Sequence, residues 1–212
     1  MIYLSFRSGM SSKSDFNGAR DARVPIGVVA GNLTTHQLVM SVPRYLDMGG
    51  AVFVDSGAFG AFKTGEAMNW ADIMERYSML ASSTFKPERL YVVAPDTVGS
   101  QLKTMNLLVE WREQIVSLMR AGTNVIVPLQ TGSIPGQQMI EKITELLGTN
   151  DWVAGIPSNL AAMTVQECAT LKHSRFHILG RVQMNGEQES RLKALRRKLD
   201  AQQDRNCFQI DE

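Results

Sequence analysis

The sequence predicts an α/β fold, a compact (β/α)8 TIM-like barrel, on three observations. Short apolar runs recur along the 212 residues. Helix-periodic stretches separate them, giving about eight alternating units. No composition shift or linker divides the chain, so residues 1–212 read as one domain. Alternating units of this kind form parallel sheets with right-handed crossovers. Eight of them call for closure into a barrel, smaller here than the ~250 residues typical of that architecture. A doubly wound open sheet is the other arrangement the pattern allows, but no GxGxxG or GxxxxGKS/T motif accompanies it.

The elements follow in order. Ile2 to Phe6 is apolar and bounded by polar residues, hence a strand. Residues 7–24 are rich in Ser, Gly and Arg without periodicity and read as a long loop. Pro25 to Ala30 is a second strand. Thr34 or Thr35 caps a helix that runs to about Leu46 and stops at Gly49-Gly50. Ala51 to Asp55 is the third strand, and Asn69 caps a helix with Ile73, Tyr77 and Leu80 inward. Leu90 to Ala94 is the fourth strand. One long helix is expected over 100–121, with Leu108, Trp111, Ile115 and Leu118 as its apolar stripe. Asn124 to Pro128 is the fifth strand, and Met139, Ile140, Ile143 and Leu147 mark the helix after it. Trp152 to Ile156 is the sixth strand. Thr164 and Glu167 form a capping-box pattern. Phe176 to Leu179, a charged helix over 187–203 and a last strand from Cys207 to Ile210 complete the series.

Bulk properties narrow the function. With 44% hydrophobic and 20% charged residues the composition is that of a globular protein. The net charge of +1 gives no global signal for nucleic acid, so such a contact needs a local patch. The two cysteines, Cys168 and Cys207, make neither a CxxC zinc pair nor a disulfide framework, and point to a reducing cytoplasm. No run approaches the ~18 apolar residues of a membrane span, and the N-terminus lacks a signal-peptide core. His36, His173 and His177 lack metal-ligand spacing and read as structural or surface residues. Cys168 reads as an inert helical thiol without a basic partner, and Trp70, Trp111 and Trp152 as packing residues.

In a (β/α)8 barrel the active site sits at the C-terminal ends of the strands. Polar residues and glycines collect there: Asp55 and Ser56, Asp96, Gln130 and Gly132, Gly155, Gly180 and Arg181, and Asp211. An aspartate after a strand is commonly a turn former. Several converging on one face suggest chemistry. A buried Asp serves as general acid or base. A second carboxylate can attack an anomeric carbon. An Asp with a Gln can read the edge of a purine-like ring, and glycines let a flat ring approach.

The run Asp55-Ser56-Gly57-Ala58-Phe59 resembles the DSG(G/A)F signature of the tRNA-guanine transglycosylase superfamily. Ala94-Pro95-Asp96, Val127-Pro128-Leu129-Gln130-Thr131-Gly132, Val153-Ala154-Gly155-Ile156 and His177-Ile178-Leu179-Gly180-Arg181 are similar to its later segments, in order. The branch most similar is the bacterial and phage one that inserts 7-deazaguanines into DNA. That resemblance implies base exchange in nucleic acid through a covalent Asp-glycosyl intermediate. It implies Asp55 as the acid/base and Asp211 as the nucleophile, with Asp204 or Glu212 as substitutes. Ser56, Gly57, Asp96, Gln130, Gly132, Gly155 and Gly180 would hold the base. It implies no metal or organic cofactor. The family's zinc site cannot form from two scattered cysteines, which favours DNA over tRNA as the partner. Arg7, Lys13, Arg20 and Arg23, placed in the loop after the first strand, are the expected phosphate contacts. A bacterial cytoplasm, including that of a phage-infected cell, is the expected location, and a homodimer is allowed. Phe59 and Phe62 either stack on a base or close the barrel mouth. Two alternatives stay open. One is a barrel enzyme acting on a free nucleoside or sugar phosphate, with Asp55 and Asp96 as acid and base. The other is a non-catalytic binding protein on the same scaffold.

Overall fold

The computed structural model describes residues 2–8, 12–159, 162–180, 186–200 and 207–211, of which 2, 3, 13, 196–200 and 207–211 are described by backbone alone. Its centre is a parallel sheet of eight strands. They are β1 (Ile2–Phe6), β2 (Ile26–Val29), β3 (Val52–Asp55), β4 (Leu90–Val93), β5 (Asn124–Pro128), β6 (Val153–Pro157), β7 (Phe176–Leu179) and β8 (Cys207–Asp211). Their order is β1-β8-β7-β6-β5-β4-β3-β2. The outermost strands also approach each other. Arg7, just past β1, bridges Ile26, donating its N–H to Pro25 O at 2.9 Å and accepting from Gly27 N at 2.7 Å.

The strands are apolar on both faces, as parallel strands covered on both sides are. Alternation sorts their side chains. Val52, Val54, Leu90, Val92, Val125, Val127, Ala154 and Ile156 belong to the large core shared with the helices. Phe53, Tyr91, Val93, Ile126 and Val153 cluster with Phe6 on the other face. His177 joins that inner layer, fully buried and stacked on Phe53 with centroids 4.7 Å apart. Asp55 shares the parity of Phe53, so its carboxylate stands at the rim of this inner face.

The helices are α1 (Lys13–Asp21), α2 (Val42–Asp47), α3 (Ala58–Thr64), α4 (Trp70–Ser82), α5 (Gln101–Glu110), α6 (Arg112–Arg120), α7 (Gly136–Leu147), α8 (Val165–Thr170) and α9 (Gly186–Asp200). Three differ from the sequence expectation. The stretch 7–24 is not all loop: Ser12 caps α1 through Asp15 N at 3.1 Å, and Phe16 and Ala19 anchor it in the core. The single helix expected over 100–121 breaks at Trp111 (φ −99°, ψ 12°) into α5 and α6. The helix expected to run from Thr34 to Leu46 begins as a π turn over Gln37–Ser41 before α2, with Pro43 in its first turn. Thr34 does cap it, by reciprocal bonds with Gln37. The capping box at Thr164 and Glu167 forms as expected. Cys168 is buried, but Arg191 of α9 reaches it, a basic partner that the sequence reading did not foresee.

Candidate active site

Asp55 ends β3, and the chain then turns sharply. Asp55 Oδ1 accepts the N–H of Gly57 at 2.6 Å, and Ser56 Oγ accepts that of Ala58 at 3.2 Å. Gly57 carries φ +84°, a left-handed conformation that glycine adopts without strain, and opens α3. The turn-forming role of Asp55 is therefore real. It does not exhaust the residue, because burial raises the carboxyl above its ordinary range while the Gly57 bond opposes this.

Asp96 follows β4. Ala94 N still bonds Ile126 O at 2.8 Å, and Pro95, with no donor, ends the ladder. The Asp96 side chain is buried at 6% exposure. Gln130 Nε2 donates to Asp96 Oδ2 at 2.8 Å, and Gln130 Oε1 accepts from Gly99 N at 2.8 Å, which fixes the orientation of the amide. Asp96 Oδ1 is buried without a partner. Burial first, then the charge of Asp55, push the Asp96 carboxyl up to about 7, against the bond from Gln130. The Asp55 carboxylate on the adjacent strand thus hinders the ionisation of Asp96.

Two residues of α5 set the loops that carry this pair. Thr104, fully buried, accepts from Thr97 N at 3.0 Å. Gln101 donates to the carbonyls of Gln130 and Ile134 and accepts from Ile134 N at 3.1 Å. Behind them Tyr77 of α4 is wholly buried, with its hydroxyl 3.4 Å from Val54 O. Burial and the charges of Asp55 and Asp96 raise its phenol well above the ordinary value. These roles were missed in the sequence. The available signal was polar Gln101 and Thr104 in phase with Leu108, on the buried stripe of a helix.

A cleft of about 300 Å³ opens beside Asp96. Ala61, Phe62, Glu66, Met68, Trp70 and Thr97 line it with Asp96. Phe62 and Trp70 therefore line the cleft, and Trp70 also packs against the core, as expected. Phe59 is exposed at the surface, with Lys63 Nζ 4.4 Å from its ring centroid.

The remaining expected site residues have surroundings of their own. Ser56 Oγ and the Gly57 N–H are taken by the turn. A Cβ on Gly132 would run into Gln101, so that glycine serves close packing. Gly155 is buried against Leu179 and Ile126, where a Cβ would lie 2.8 Å from Leu179 Cδ1, and its carbonyl accepts from Leu129 N. Gly180 (φ +89°) turns beside Ser158. Asp211 ends β8 in register with Phe6; its side chain, like Asp204, Glu212 and Arg181, lies outside the described residues. Among the described residues no group of three or more His, Cys, Asp or Glu is placed to hold a metal ion, and no helix is long and apolar enough to cross a membrane.

No family model matches the sequence, and no curated protein matches it significantly. Solved structures do. In fold, the chain is similar to xylose isomerase domain proteins. One, from Alicyclobacillus acidocaldarius, is 12% identical with a TM-score of 0.54, covering 99% of this chain and 87% of its own. Another, from Planctomyces limnophilus, is 10% identical with a TM-score of 0.54, covering 100% and 89%. A D-psicose 3-epimerase solved in the presence of D-fructose is 11% identical with a TM-score of 0.53, covering 99% and 83%.

These comparisons correct the transglycosylase resemblance and what it implied. The similar structures are sugar isomerase and epimerase folds, so base exchange in DNA or tRNA with a 7-deazaguanine is withdrawn, and with it Asp211 as glycosyl nucleophile. The positions of Arg20 and Arg23 agree with the correction. Because α1 runs back between β1 and β2, its last turn lies at the N-terminal end of β2, opposite the cleft. Arg20 sits there, ion-paired with Asp21 at 2.8 Å, and Arg23 follows the helix. The side chain of Lys13 lies outside the described residues. Arg7 is at the C-terminal end of its strand, where its backbone bridges to β2, and the backbone of Lys13 opens α1 on that same side.

Proposed function

We propose that the chain is a single-domain closed (β/α)8 barrel, spanning 1–212, that catalyses proton transfer on a small free molecule such as a sugar or nucleoside. Asp55 is the general base and Asp96 the general acid. The observation that carries this reading is the pair of carboxyl groups at the ends of adjacent strands, Asp96 buried and Asp55 half-buried, with Asp96 in the wall of a cleft. A carboxyl held near neutrality is suited to give up a proton at working pH, and its ionised neighbour to accept one. The bridge between Arg7 and Ile26 supports closure. The likeness in fold to sugar isomerase and epimerase structures supports a small substrate.

The pair loses its last proton near pH 7, which gives the rate an upper limb. Activity is expected to fall as pH rises through about 7, when Asp96 loses its proton. It also falls at low pH, when Asp55 gains one. The test needs no assumed product: free sugars and nucleosides are incubated in D2O and deuterium entering C–H positions is read by NMR. Asp55→Asn is expected to reduce exchange by about 10²–10⁴. Exchange unchanged in that variant, or a rate that keeps rising above pH 8, contradicts the assignment.

A further inference from the structure

We infer that the cleft beside Asp96 selects an uncharged, unphosphorylated ligand of single-ring size, seated with a C–H face on Trp70 and Phe62. This rests on the acid–base reading in taking the cleft as the substrate's, and it names the substrate class. At about 300 Å³ the cleft is at the small end for small-molecule sites, which suits one ring rather than a chain of them. The charged side chains lining it, among the described residues, are Asp96 and Glu66, both acidic. The nearby ammonium of Lys63 is directed over the Phe59 ring. A phosphate dianion entering here would meet the Glu66 carboxylate, joined above about pH 7 by that of Asp96, and no cation among the described lining residues. Phe62, Met68 and Trp70 offer instead an apolar wall on which the C–H face of a ring packs.

The test is direct binding, by calorimetry and by tryptophan fluorescence, with D-fructose and D-ribose against fructose 6-phosphate and ribose 5-phosphate. At least one neutral compound is expected to bind, and its phosphate ester to bind at least about tenfold more weakly. Trp70→Ala is expected to weaken the neutral ligand about fivefold. Glu66→Gln, at an exposed position that should not disturb folding, is expected to narrow the gap between ligand and ester. An ester that binds as tightly as its parent overturns the inference. So does the failure of both neutral compounds to bind, or a gap unmoved by Glu66→Gln. Repeating the titration in Asp55→Asn separates the two readings. Neutral-selective binding without deuterium exchange in the wild type sinks the acid–base assignment and leaves this inference standing. Exchange confined to the phosphate esters does the reverse.

Discussion

Asp96→Asn is expected to stabilise the protein, and by roughly 3 kcal/mol more at pH 8 than at pH 5. The folded state holds the Asp96 proton far more tightly than the unfolded chain, with its carboxyl raised from 3.8 to about 7. Stability from that proton is fully present below the unfolded value. It is lost progressively as pH rises, until the group ionises in the folded state near 7. Above that point a charge sits in a site with one hydrogen bond and a like-charged neighbour. Asparagine keeps the shape and can still accept from Gln130, but carries no charge. Urea unfolding at the two pH values measures the difference. A variant less stable than wild type at pH 8 would show that Asp96 is not a strained buried acid.

Phe53→Ala is expected to destabilise by about 3–5 kcal/mol, the largest single-residue effect in the inner layer. Phe53 is 1% exposed, stacks on His177 and lies 5.7 Å from the Phe6 ring. Truncation leaves a cavity that rigid strands on every side cannot close. The consequence reaches the site, because Phe53 stands two residues before Asp55 on the same face. Water admitted below Asp55 relieves its desolvation and lowers its carboxyl toward the ordinary range. Phe53→Leu, which fills most of the volume, should recover most of the stability. Urea midpoints for the two variants check this; equal losses would mean that the inner layer is not tightly packed.

How much of this was legible in the sequence depended on the signal each element left. The strands were readable because buried parallel strands are apolar on both faces, as in Val52-Phe53-Val54 and Leu90-Tyr91-Val92-Val93. Their polar ends located Asp55, Asp96 and Gln130 before any coordinates, and the structure joins the last two directly. The break at Trp111 left no trace, since the spacing of Leu108, Trp111, Ile115 and Leu118 holds its phase across it. α1 escaped notice because Phe16 and Ala19 alone carry its buried face, with Gly18 between them. Charge counting misled for a different reason: it cannot tell which end of a sheet an arginine occupies. Arg20 and Arg23 lie at the end away from Asp96, a fact of topology rather than composition. Short motifs misled in the same way, since a DSGAF turn can be built for its hydrogen bonds alone, as at Gly57 and Ala58.

The coupled carboxyl pair is tested most directly by a site-resolved NMR titration of the Asp96 carboxyl carbon, in the wild type and in Asp55→Asn. A midpoint at about 7 in the wild type is predicted, moving down once the neighbouring charge is removed. A midpoint close to 3.8 in both proteins would contradict the account.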